Sequence, residues 1–492
     1  MNKRAIAQVP ATLGPIFACL LSLASPALAQ KPNIVLMLPD NLGYGDVGFL
    51  GTGGELRGMP TPRIDQLARE SLRFTQFLTE PGCTPSRAAL QTGRYPIRSG
   101  LSLVLVKGAA NTLKANEITM AEMLKPLGYT TAYVGKWHLG FAQESQPQYQ
   151  GYDEWRIGFL GSTDVTSYPR EMSKYHAPDA IIQNAIHHIV EADAPNTPAR
   201  EVRVYDIAYR RQIEKDIADY SVDYIKRHAN GRDPFFLMVA WTRPHYPNVT
   251  HPDFKGKSRI GQYGDSVMEL DYRTGQVLDA IRESGIEDNT IVLFLSDNGP
   301  QRTTIFREDL IAGSSGQFRG ELFDPYEGGI RTVGMIKWPG KIKPRTTNAM
   351  ISLLDIFPTL AGFVGGKVPH DRPFDGIDQS DFFLGKTDKA PRESLITFIR
   401  DRIAAVRWRQ WRLYPRTVLA STDVLNTTGV QGIVAENSGY PAAYNIEWDP
   451  REEWNLLIEN SWVLGPYMKV IQSYRKTLKD HPNPPAPNFT DF

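Results

Sequence analysis

The stretch PGCTPSRAALQTGR, residues 81–94, crowds reactive side chains into a short space. Cys83 is followed by Pro85, Ser86 and Arg87, and the segment closes on Gly93 and Arg94. Pro85 and Ser86 suit a helix start and Gly93 suits its end, so the spacing predicts a helix over SRAALQTG. Cys83 would then stand just before a helix N-terminus, where the dipole favours negative charge and lowers the cost of a thiolate. A cysteine-dependent phosphatase loop is excluded, because it places its arginine six residues after the cysteine and that position here is Ala89. The pattern that fits is C-x-P-S-R-x4-x-G-R.

Strand and helix signals that must position this segment alternate along the chain. NIVLMLPD (33–40) is an apolar run ending in polar residues, and DPFFLMVAW (233–241) is another strand of buried type. ITMAEMLKPLGYTTAYVGKWHLG reads as a helix, a stop at Gly128 and a strand ending near Gly135. YGDSVMELDYRTGQVLDAIRESGIEDNTIVLFLSDNG gives a helix, a stop at Gly285 and a strand ending at Ser296. TVGMIKWPG adds a strand and SLLDIFPTLAGFVGG a helix. Such alternation implies parallel strands with helices on both faces. Ligands of open sheets bind at the carboxyl ends of strands, where Asp40 and Asp297-Asn298 fall. After about residue 385, ESLITFIRD, RIAAVRWRQWRLYP and YNIEWDP suggest a small antiparallel sheet, and SWVLGPYMKVIQSYRKTLKDH a C-terminal helix. The expected units are 30–385 and 386–492.

Composition narrows the setting. The 492 residues are 41% hydrophobic and 22% charged, and the net charge of +1 argues against a nucleic-acid partner, which needs a basic patch or stripe. The N-terminus carries Lys3 and Arg4, then the apolar run GPIFACLLSLASPALA. Ending in Ala27-Leu28-Ala29, it reads as a signal peptide over 1–29, cut before Gln30. No later segment is apolar enough to span a bilayer, so export to the periplasm or medium without membrane insertion is expected. Removal of Cys19 with the leader leaves Cys83 as the sole cysteine, with no internal disulfide.

With these residues in place, the chain resembles the type I, formylglycine-dependent sulfatases, in their arylsulfatase-like branch. CTPSR…GR is similar to the motif whose cysteine a maturation enzyme oxidises to formylglycine. PNIVLMLPDNLGYGD and FLSDNGP resemble the two metal segments, GYTTAYVGKWHLG the Lys/His segment and RPHYPN the second-histidine segment. YEGGIRT followed by WPG, PTPRIDQLARESLRFTQF and GYDEWRIGFLGSTD extend the resemblance along nearly the whole mature chain. It implies an α/β, alkaline-phosphatase-like fold: a large mixed sheet between helices, with a smaller C-terminal antiparallel sheet plus helix.

The resemblance also implies roles. Hydrated formylglycine at Cys83 offers two hydroxyls on one carbon: one attacks sulfur, and the other lets the carbon collapse back to the aldehyde and expel sulfate. Asp40, Asn41, Asp297 and Asn298, with an oxygen from residue 83, supply an all-oxygen site suited to Ca2+ in preference to Mg2+. Asn41 stands where the family commonly has a second aspartate, which removes one negative charge. Arg87 and Lys136 are the expected partners of the sulfate oxygens. His138 would take the proton of the second hydroxyl, and His245 would serve as general acid at the bridging oxygen.

One position departs from the family. Many arylsulfatases carry a sulfate-binding lysine four residues before the YEGG tyrosine, and here that residue is Leu322. Either Arg319, three residues earlier, takes over its charge, or this branch does without it. Residues 160–215 show no strong element signal and are expected to ring the pocket mouth, with Ser162 and Asp164 as contacts. The substrate expected is an aryl sulfate or sulfated carbohydrate. Two alternatives stand beside it: a phosphonate or phosphate ester hydrolase of the same superfamily, and an inactive exported binding protein.

Overall fold

The computed structural model describes residues 1, 31–162, 176, 178, 186–301, 313–419, 433–435 and 439–488. Beyond Met1 the expected signal peptide lies outside these residues, as does Asp164.

The apolar runs form a ten-stranded sheet. Its strands are β1 (Asn33–Asp40), β2 (Leu72–Phe74), β3 (Thr130–Lys136), β4 (Glu154–Phe159), β5 (His188–Ala192), β6 (Arg200–Val204), β7 (Phe235–Pro244), β8 (Thr290–Leu295), β9 (Gly334–Lys337) and β10 (Arg345–Thr347). They lie in the order β10-β2-β9-β8-β1-β7-β3-β4-β5-β6. From β8 through β1, β7 and β3 to β4 the pairing is parallel, while β9 on β8 and β5 on β4 are antiparallel, so the sheet is mixed as expected.

Central strands are buried on both faces, so their side chains divide between two cores. In β1, Ile34, Leu36 and Leu38 enter one and Val35 and Met37 the other. The helices are α1 (Pro62–Arg69), α2 (Cys83–Thr92), α3 (Met120–Leu124), α4 (Ile213–His228), α5 (Gln262–Glu283), α6 (Ile356–Val364) and α7 (Leu464–Thr477). The first core takes Leu90 of α2, Leu124 of α3 and Leu360 of α6, and the second takes Ile64 of α1, Ile217 of α4 and Leu270 of α5. The C-terminal sheet joins β11 (Ser394–Ile399), β12 (Arg402–Trp408), β13 (Trp411–Tyr414) and β14 (Ala442–Asn445), all antiparallel. Tyr467, Ile471 and Tyr474 of α7 pack into its core.

Three local expectations differ. Within 160–215 the chain forms β5 and β6, a short helix at Ile207–Arg210 and the start of α4. All five residues of β6 are exposed, so it has no apolar face to read, and its pairing with β5 defines it. In YNIEWDP only Tyr444 and Asn445 belong to a strand. Helix α2 begins at Cys83 itself, because Ser86 N already donates to the Gly82 carbonyl at 3.0 Å and Pro85 lies in the first turn, where no donor is needed.

Candidate active site

The carboxyl ends of four neighbouring strands deliver the polar residues. Strand β1 ends at Asp40 and runs into Asn41; β8 is followed by Ser296, Asp297 and Asn298; β3 ends at Lys136, two residues before His138; and β7 ends at Pro244, against Asp40 and one residue before His245. Helix α2 adds Cys83 and Arg87 from one face. The nine residues Asp40, Asn41, Cys83, Arg87, Lys136, His138, His245, Asp297 and Asn298 are each at most 5% exposed. Asn41 (φ 65°) and His138 (φ 63°) hold left-handed backbone, and such conformations in non-glycine residues cluster at functional sites.

Hydrogen bonds bind the group together. Cys83 Sγ lies 3.4 Å from Asp40 Oδ1 and 3.6 Å from Asn41 Oδ1. Lys136 Nζ donates to Asp40 Oδ2 at 2.7 Å. Arg87 forks onto Asp297 Oδ2 through Nε at 3.1 Å and Nη2 at 2.9 Å, and its Nη1 donates to the Lys136 carbonyl at 2.7 Å. Two carboxylates and two cations thus balance one another. Asp40, Cys83 and His245 each offer an atom within 4.8 Å of the others, a set able to hold a metal. Asn298 Oδ1 is buried without a hydrogen-bond partner, and its Nδ2 donates to Asn41 Oδ1 at 2.6 Å. A buried amide oxygen left unpaired is costly, and a hard cation would satisfy it. The residues present therefore fit such an ion.

Burial sets the protonation states. It would raise the Asp40 carboxyl, but the charges of Lys136, His245 and Arg87 outweigh it and hold Asp40 well below the usual carboxylate range. Burial and then the Asp40 charge push Asp297 up to about 6 against Arg87 and Lys136. Burial pushes the Cys83 thiol well above its ordinary value, so the helix start does not yield a thiolate. Burial, then Lys136, pushes His138 far down and keeps it neutral. Its Nε2 sits 2.9 Å from the Leu105 carbonyl and must donate, which leaves the buried, unpartnered Nδ1 with a free lone pair.

The outlying expected residues that are described are Arg319 and Ser162. The guanidinium of Arg319 lies over the Tyr326 ring at 4.3 Å and its Nη1 donates to the Glu452 carbonyl at 3.4 Å. It lines a cavity of about 800 Å³ with Tyr326, Tyr414 and Tyr444, against the C-terminal sheet. Ser162 Oγ stands 3.3 Å from His245 Nε2, so one end of the 160–215 segment does reach the site. Two supports escaped the sequence reading. Thr84 Oγ1 donates to the His138 carbonyl at 3.0 Å and accepts from Leu105 N at 3.2 Å, although it occupies the variable position of the cysteine motif. Arg210 Nη2 donates to the His245 carbonyl at 2.7 Å and to the Thr242 carbonyl at 3.0 Å, a contact between distant segments that leaves no local signal.

Known proteins are similar to this chain along most of its length. The sulfatase family matches residues 32–366. The chain is 35% identical to arylsulfatase A of Homo sapiens, over 94% of this chain and 90% of that one. It is 28% identical to an N-acetylgalactosamine-6-O-sulfatase of Bacteroides thetaiotaomicron, over 91% and 94%. The crystal structure of PsFucS1 sulfatase from Pseudoalteromonas sp. superposes with a TM-score of 0.84 at 29% identity, covering 92% of each chain. The fold is that of the alkaline-phosphatase-like sulfatases. The chain belongs to the sulfatase family and is an enzyme that hydrolyses sulfate esters.

Proposed function

We propose that this sulfatase cleaves an aryl sulfate or a sulfated carbohydrate after Cys83 has been converted to formylglycine, with Ca2+ held by Asp40, Asn41, Asp297 and Asn298. The observation that carries this reading is the approach of Cys83 Sγ to Asp40 Oδ1 and Asn41 Oδ1 inside a buried group that also holds Lys136, Arg87 and His245. As a thiol, Cys83 is a poor nucleophile here, because burial keeps it protonated. The hydrated aldehyde would supply a nucleophilic hydroxyl and a route for sulfate to leave, and a bound cation would supply positive charge near the developing oxyanions.

The chain's own residues do the rest. Lys136 and Arg87 are already ordered by Asp40 and Asp297, so they meet the ester's oxygens at little reorganisation cost. His138, neutral with an open Nδ1, can accept a proton from residue 83. His245, held at its carbonyl by Arg210, can return a proton to the leaving oxygen. The leader expected over residues 1–29 supports export, with a formylglycine-generating enzyme as the partner before export. Among the described residues no helix is long and apolar enough to cross a membrane.

The substrate reading is tested with paired esters. Matured protein should turn over 4-nitrophenyl sulfate at least about 100-fold faster than 4-nitrophenyl phosphate, since site charge must discriminate two similar tetrahedral anions. A preference for phosphate would overturn it. Chelation tests the cation by a route apart from activity. Removing Ca2+ should lower the melting temperature, and Ca2+ at about 100 times its Kd should return about 2.7 kcal/mol. An unchanged melting temperature on chelation would reject the site.

A further inference from the structure

We propose that Phe323, with Val104, forms an apolar wall beside residue 83 that selects sulfate esters whose leaving group presents a flat apolar face. This rests on the reading that residue 83 supplies the reacting atom.

The wall follows from how the segment FRGELFDPYEGG is pinned. Leu322 N donates to the Pro300 carbonyl at 2.8 Å, which ties the segment to the loop that carries Asn298. From that anchor the Phe323 ring reaches Gly82, the residue before Cys83. A methyl group built on Gly82 would stand 3.5 Å and 3.7 Å from Phe323 Cδ1 and Cε1, and 3.2 Å from Val104 Cγ2. Phe323 holds φ 75°, a region that bulky residues avoid, so its place is imposed by the surroundings rather than by its own preference. Phe323 is half-buried and so keeps some accessible surface, whereas Val104, the other neighbour of Gly82, is buried.

Charge points the same way. The segment's one cation, Arg319, is turned onto Tyr326 and the Glu452 carbonyl. Glu321 and Asp324, on either side of Leu322-Phe323 in the sequence, are acidic and buried. The segment therefore brings to residue 83 an aromatic surface and no basic side chain. A flat apolar leaving group gains contact and desolvation against the ring. A leaving group ringed by hydroxyls gains less, and one with further sulfates meets no cation from this segment.

The test uses the full matured chain and its Phe323→Gly and Phe323→Asn variants, both of which tolerate positive φ and so should fold. Rates are measured on 4-nitrophenyl sulfate and galactose 6-sulfate. For the aryl ester, kcat/KM should fall about five- to tenfold, through KM, while the sugar ester stays within about twofold. Equal losses on both esters, or no loss on the aryl ester, overturn the wall while leaving the sulfatase reading intact. If wild-type protein with a converted Cys83 hydrolyses neither ester, the reading of residue 83 fails and the wall falls with it.

Discussion

Cys83→Ala, made alongside an active maturation enzyme, should fold and lose at least about 10⁴-fold in kcat, the scale on which removing a nucleophile acts. Cys83 is 2% exposed and its described polar contacts are the long ones to Asp40 and Asn41, so a methyl group fits its place with little strain. Cys83→Ser separates two roles. A serine that stays unconverted can attack sulfur but has no second hydroxyl with which to expel the product, so turnover should stop after one sulfate is transferred. Steady turnover by Cys83→Ala would place the nucleophile elsewhere.

Arg87→Ala should damage stability and activity together. Arg87 is 2% exposed, forks onto Asp297 and also holds the Lys136 carbonyl, so truncation leaves a buried carboxylate without its main partner. Breaking a buried pair from one side costs about 3–5 kcal/mol. Asp297, already pushed up to about 6, would rise further, because the charge that opposes burial and Asp40 is gone. The melting temperature should therefore drop, and kcat should fall about 10²–10³-fold with the loss of a preorganised cation. Arg87→Lys keeps the charge without the fork and should lie between wild type and Arg87→Ala on both measures. A normal melting temperature for Arg87→Ala would refute the pairing.

Elements that rest on local pattern were the legible ones. The contiguous apolar runs of β1 and β7 can only be strands buried on both faces, and Gly93, at φ 65°, closes α2 where its sequence position suggested. Strand ends then located Asp40, Asn41, Asp297 and Asn298. What stayed hidden depends on contacts across the fold. Strand β6 exposes every side chain and exists by pairing with β5. Arg210 acts on His245 from another segment, and the direction of the Arg319 side chain is set by the Tyr326 ring and Glu452. The protonation of Cys83 is hidden for a similar reason: the helix dipole is visible in sequence, but the burial that outweighs it is not.

The account turns on the chemical state of residue 83, and the mass of the tryptic peptide Phe74–Arg87 reads it directly. Protein made with an active maturation enzyme should yield a peptide that has lost one sulfur and two hydrogens and gained one oxygen, the aldehyde form. A peptide that keeps its thiol, from cells in which the maturation enzyme demonstrably works, would contradict the account.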